Sequence, residues 1–257
     1  VSFHSLNREF RVNENQWTDK DFIFSDISKK LTKQKKINAN WSSFDSDRSI
    51  PYFKLKNSRG KILGDCVINN ENFLVISLQN NKKYKWKYGH IKENMLPSHI
   101  AVLEDVENAK ELIGKDIWLN DIFSDSIFMG QSGSSFKKFQ KVNVVDVKIY
   151  QNSKVDCPIW LEIDSKNDFN SYVRYNGKFR FHSRQNNYFI KHPIKKSWDK
   201  TSIEKIMEGK IEYGMNYEQV RASIGNPDII NNTSSRHGVS QQWIYGKNIS
   251  SRRYLVF

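Results

Sequence analysis

Tyr213-Gly214-Met215-Asn216-Tyr217-Glu218-Gln219-Val220-Arg221-Ala222-Ser223-Ile224-Gly225-Asn226-Pro227-Asp228 carries four local signals that agree on one short helix. Asn216 stands where an N-cap is needed, and Gln219 occupies the reciprocal position of a capping box. Met215 and Val220 fall at the two positions of a hydrophobic staple. Gly225 suits the helix end, and Pro227 prevents the helix from resuming. Upstream, Thr201 and Glu204 predict a capping box for a helix that carries Ile203, Ile206 and Met207 and stops at Gly209. Downstream, Ile229-Ile230 and Gln241-Gln242-Trp243-Ile244-Tyr245 predict strands around a polar loop, and Tyr254-Leu255-Val256-Phe257 a third strand.

The order Gly-Met, short capped helix, Gly-x-Pro-Asp, Gln-Trp-x-Tyr strand and Tyr-Leu-x-Phe strand resembles the SmpA/OmlA family, the BamE-like domain. The likeness runs over about residues 200 to 257, roughly a quarter of the chain. It implies two helices packed on a three-stranded antiparallel sheet. Family members include small outer-membrane lipoproteins that support β-barrel assembly through protein and lipid contacts, without catalysis. The resemblance therefore implies a bacterial envelope protein, periplasmic or outer-membrane-attached, of lipoprotein derivation. No functional position of the family is identifiable here, so none is carried over.

Upstream of residue 195 the pattern is mainly β. Pro51-Lys56, Lys61-Ile68, Phe73-Leu78 and Lys82-Tyr88 predict a meander, separated at Asn57-Ser58-Arg59-Gly60, Asn69-Asn70 and Asn80-Asn81 by residues that tolerate positive φ. Val106, Ala109, Leu112 and Ile113 share one face of a helix expected from Asp105 to Ile113, with Gly114 at its end. A second β region follows: Lys115-Leu119, a Gly/Ser loop at 130–135, Val142-Tyr150, Pro158-Ile163 and Phe169-Tyr175. Val145, Val147 and Ile149 alternate there with Asp146 and Lys148, as in a half-buried strand. Near the N-terminus, Thr18 is placed to cap a helix carrying Phe22, Ile23, Ile27 and Leu31, followed by Lys29, Lys30, Lys33, Lys35 and Lys36. The reading is a multidomain chain, mainly β plus α+β: a partly helical segment at 1–48, a β module at 49–100, a linking helix at 101–114, a second β module at 115–194, and the α+β domain at 195–257. The two β modules have the strand spacing of SH3-like barrels or of one larger sheet.

At 257 residues the chain can bury about 70–75% of its unfolded surface, and 38% hydrophobic with 13% aromatic residues excludes a disordered polymer. No run approaches the ~20 apolar residues of a membrane-spanning helix, and no apolar signal segment occurs in the sequence. Cys66 and Cys157 are too few for a disulfide scaffold or a four-cysteine zinc module. They are either buried thiols or one bridge across a loop of about 90 residues, worth about 4 kcal/mol.

Catalytic templates are not met. His4, His90, His99, His182, His192 and His237 include no i, i+4 pair flanking a Glu. Gly130-Gln131-Ser132-Gly133 is one residue short of a nucleophile elbow. No phosphate-cradling or dinucleotide loop occurs, and Asp45, Asp47 and Asp65 follow no EF-hand pattern. Cys157 sits beside the apolar Pro158, Ile159 and Trp160, where a thiol is ordinarily inert. The expectation is a noncatalytic binding protein without cofactor or metal.

The candidate contact surface is Lys83-Tyr84-Lys85-Trp86-Lys87-Tyr88. Strand alternation puts Tyr84, Trp86 and Tyr88 on one face and the three lysines on the other. With the aromatics inward, this predicts an edge strand guarded by lysines; with them outward, a stacking platform. With 41 Lys+Arg against 28 Asp+Glu, the formal charge is +13, which suits a protein or anionic envelope partner. The alternative is nucleic acid, with Lys83, Lys85 and Lys87 on phosphates.

Overall fold

The computed structural model describes residues 11–28, 40–88, 96–120, 128–129, 136–152, 158–164, 170–177, 186–235, 238–246 and 249–257. Leu31, the lysines from Lys29 to Lys36, the Gly/Ser loop at 130–135, Cys157, His4, His90, His182 and His237 lie outside them. The architecture is mainly β, with curled antiparallel sheets. No described helix is long and apolar enough to cross a membrane. The chain gathers into two compact units, one within Val1–Ile113, Val145–Ile163 and Gly177–Phe181, the other within Gly114–Val144, Asp164–Asn176 and His182–Phe257.

In the first unit, β1 (Asp21–Phe24), β3 (Trp41–Ser43), β4 (Arg59–Ile68), β5 (Glu71–Leu78), β6 (Lys83–Lys87) and β7 (Ile100–Val102) form one sheet in the order β3-β6-β5-β4-β1-β7. The pairs β4–β5 and β5–β6 are the expected meander. Its turns use Asn57, Asn69, Asn70 and Asn81 at positive φ, where the short amide side chain tolerates the left-handed region. Gly60 is closely approached by the neighbouring strand, since a Cβ there would lie 2.2 Å from Ser77 O. Trp17, Phe22, Phe24, Trp41, Tyr52, Ile62, Leu74 and Trp86 fill the core. A helix, α1 (Leu103–Lys110), follows β7 directly and buries Val106 and Ala109.

Three expectations are corrected here. Phe22, Ile23 and Ile27 are not on a helix, because Phe22 and Phe24 alternate inward as a strand flanked by β4 and β7, and Ile27 ends the short β2 (Asp26–Ile27). Two-sided ladder pairing outweighs the helical spacing, and the Thr18 hydroxyl instead accepts from Asn15 N–H in a turn. Pro51-Lys56 forms a 3-10 turn at Tyr52–Lys54 rather than a strand. Pro51 has no N–H for a ladder, and the turn lets the buried Tyr52 hydroxyl donate to Ser25 O, 2.9 Å.

The second unit begins with β8 (Asp116–Leu119) and β9 (Phe128–Met129). β10 (Lys141–Gln151) pairs Val142 with Ile117 of β8, while its far end runs parallel to β2 and beside β11 (Ile159–Ile163) within the first unit. Residues opposed in a ladder share a face, so Val142 and Val144 go inward with Ile117 and the opposite set is outward. Val145 is accordingly exposed, and Val147 and Ile149 are only half-buried, which corrects the expected phase of that strand. β12 (Ser171–Arg174) pairs with β9, and β13 (Tyr188–Phe189) with β8.

The C-terminal stretch supplies α2 (Lys200–Met207), α3 (Tyr217–Ile224) and an antiparallel sheet of β14 (Ile229–Ser235), β15 (Gly238–Tyr245) and β16 (Arg253–Val256). Both reciprocal bonds of the Asn216–Gln219 capping box are made, and Gly225 ends α3 at φ 84°. The cap of α2 is Asp199, which accepts from Ser202 N–H at 2.8 Å, and not Thr201. The carboxylate at the true boundary also suits the positive helix end. The expected polar loop after Ile230 is itself ladder, since β14 runs on to Ser235. Ile206, Met215, Val220, Ala222 and Trp243 pack the two helices on the sheet together with Phe139. Lys138 Nζ donates to Ser223 O (2.7 Å) and Ile206 O (3.1 Å), joining the carbonyl ends of both helices.

Candidate functional site

Alternation along β6 turns Trp86 and Tyr88 into the core, each 3% exposed, with Tyr84 packed at its margin. No stacking platform is presented. β6 is also not an edge strand, because Trp86 lies opposite Trp41 on one side and Leu74 on the other. The lysine face is partly covered by a second cluster of Cys66, Ile68, Phe73 and Val75 with Phe44. Lys85 is buried there, donating to Phe44 O at 3.2 Å and meeting Asp47 at 3.1 Å. Lys87 pairs with Glu71, while Lys83 is exposed. The six residues are thus brought together as a structural strand. The expectation of a lysine face open to solvent fails at its centre, because that face of the sheet has its own apolar cover.

Cys66 belongs to the same cluster, a free buried thiol that burial pushes up to about 11. A thiol so protonated is a poor nucleophile at neutral pH. Asp65 accepts from the Tyr88 hydroxyl. His99 is enclosed by Phe24, Trp41 and Tyr52, and burial alone holds its imidazole down at about 3.

An open cleft in the second unit gathers a different set of side chains. Its volume is about 430 Å³, with Phe189, Lys191, His192, Lys195, Trp198, Glu218 and Arg221 among the lining residues. Three segments build it. The bent run after β13 places Lys191 to Trp198, α3 contributes Glu218 and Arg221 one helical turn apart, and Asn120, from the end of β8, completes the lining. Asn120 is fixed by donating its Nδ2–H to Asn186 O, 2.7 Å. His192 Nδ1 lies 3.1 Å from both the N–H and the carbonyl oxygen of Ile194, which fixes the ring in place. Trp118 meets the His192 ring edge-on.

The electrostatics of the cleft are unbalanced. Lys191, Lys195 and Arg221 face a single carboxylate, Glu218, and that carboxylate is taken by Lys195 at 2.5 Å. Arg221 lies with its guanidinium carbon 4.7 Å above the Trp243 ring, a cation–π contact made by a group with five N–H donors in all. Trp243 is fully buried, so the guanidinium rests on a fixed support. Such an arrangement is chemically suited to a negatively charged oxygen group beside an aromatic wall.

None of these residues was singled out from the sequence. Lys191-His192-Pro193-Ile194-Lys195-Lys196-Ser197-Trp198 is a basic run ending in an aromatic, and it was the available signal. Arg221 had none, because only the fold sets it above Trp243. Among the described residues no group of three or more His, Cys, Asp or Glu side chains is placed to hold a metal ion. No protein-family model, curated protein or solved structure matches the chain.

Proposed function

We propose that this chain is a noncatalytic binding protein of the bacterial cell envelope, periplasmic or attached to the outer membrane. Its C-terminal residues act as a BamE-like interaction module, and its β modules, read as SH3-like by strand spacing, offer further contact surface. The observation that carries the reading is the cleft at Lys191, Lys195 and Arg221, which joins surplus positive charge to Phe189 and Trp198. The helix, helix, three-strand order from Lys200 to Val256 supports the family resemblance that motivates the compartment. The formal charge of +13 acts in the same direction, since an anionic surface raises encounter rates with a basic protein.

The test is co-sedimentation of the purified chain with isolated bacterial envelopes. The expected result is saturable binding that weakens several-fold between low and moderate salt. Equal recovery in the supernatant with and without envelopes would sink the proposal. Strong retention on duplex DNA at low salt in place of envelope binding would favour the nucleic-acid alternative, for which Lys83 and Lys87 retain exposure.

A further inference from the structure

The geometry points to a phosphate monoester carried on a saccharide as the ligand of the cleft, an inference that deepens the envelope reading and takes from it only the source of the ligand. Three side chains set the anion's place. Arg221, placed over the Trp243 ring, carries a guanidinium whose fork of N–H donors matches two oxygens of one tetrahedral anion. Lys191, an exposed cation of the lining, has no carboxylate partner among the described residues, and the His192 ring stands beside it in the lining. Lys195 is already held by Glu218, so it screens that carboxylate from an incoming anion.

Charge count separates phosphate from carboxylate. Lys191, Lys195 and Arg221 against Glu218 leave a formal surplus of two positive charges. A phosphate monoester carries about −1.5 to −2 at pH 7, whereas a carboxylate carries only −1. The remaining lining fits a sugar body. Phe189 and Trp198 give apolar faces against which C–H groups pack, and the amides of Asn120, Asn186 and Asn226 match hydroxyl groups. The volume of about 430 Å³ lies at the small-molecule end of ligand clefts and is an order too small for a duplex.

Isothermal titration of the full chain with glucose 1-phosphate, glucose and inorganic phosphate tests this. Glucose 1-phosphate should bind, inorganic phosphate about tenfold more weakly, and glucose not measurably. Arg221→Gln should weaken glucose 1-phosphate binding about tenfold or more, and Arg221→Lys should lose most of the same amount, because a point charge cannot replace the bidentate edge. Arg221 also supports Trp243, so Lys191→Gln, on an exposed side chain, is the variant that keeps the test clean. It should weaken binding several-fold with unchanged thermal unfolding, while Lys82→Gln, far along the chain on a turn of the first unit, should leave binding unaltered. Equal affinity for glucose and glucose 1-phosphate, no binding at millimolar ligand, or wild-type affinity in Lys191→Gln would each overturn the inference.

A second arm uses phosphatidylcholine vesicles with and without a phosphorylated glucosamine lipid. Selective binding to the former assigns the ligand to a lipid headgroup, and binding of the soluble ester alone assigns it to a free sugar phosphate; both support phosphate recognition. Failure of every arm together with envelope co-sedimentation would reject this ligand while leaving the envelope reading standing.

Discussion

Lowering the pH should unfold the first unit through one side chain, His99. Its ring stacks on Phe24 and meets Tyr52 edge-on, while Trp41 Nε1 donates to its Nε2 at 2.7 Å. Protonation would place a second donor against the Trp41 N–H and leave a buried charge without an acid partner. Burial accordingly holds the imidazole at about 3 against an ordinary 6.5. Between those values the unfolded chain binds the extra proton and the folded chain does not, so stability rises with pH. The contribution is whole above about pH 6.5 and is lost as pH falls toward 3. At about 1.4 kcal/mol per pH unit the full window is worth about 5 kcal/mol, of which about 2 kcal/mol disappears between pH 7.5 and 5. Urea unfolding followed by tryptophan fluorescence at pH 7.5, 6 and 5 measures it. His99→Gln should start less stable but lose about 2 kcal/mol less over the same interval. Parallel losses in the two proteins, within about 0.5 kcal/mol, would refute the reasoning, as would an NMR titration of His99 near its ordinary value in the folded state.

Asn216→Ala removes the acceptor for Glu218 and Gln219 N–H and should cost about 1 kcal/mol in thermal or urea unfolding. Lys138→Met removes the ammonium donor from the Ser223 and Ile206 carbonyls, of which Ile206 O keeps the Gly209 N–H, and should cost about 1–3 kcal/mol, read from the same curves. Lys85→Gln should destabilise by about 1–2 kcal/mol, whereas Lys83→Gln should stay within about 0.5 kcal/mol, because only the first is buried against Phe44 O and Asp47. Gly60→Ala forces a methyl into Ser77 O and should cost at least about 2 kcal/mol, visible as a lowered denaturation midpoint.

The C-terminal quarter was readable because its signals are local: Asn216, Gln219 and Gly225 act within one helix and need no distant partner. The asparagine turns of the meander were readable for the same reason, with Asn69, Asn70 and Asn81 all at positive φ. What failed was set at a distance. Phe22, Ile23 and Ile27 read as one face of a helix until β4 and β7 are known to flank the strand that holds Phe22 and Ile23. Lys85 looks solvated until Phe44 and Phe73 arrive over that face of the sheet. The cleft was hidden for the same reason, since Arg221 gains its place in the lining only when Trp243, on a strand that follows in sequence, lies beneath it.

Fractionation of the source cells tests the central claim most directly, with the protein followed by antibody through cytosolic, periplasmic and membrane fractions. The account predicts recovery in the periplasmic or outer-membrane fraction, with cytosolic and inner-membrane markers left behind. Recovery of the protein wholly with the cytosolic marker would contradict it.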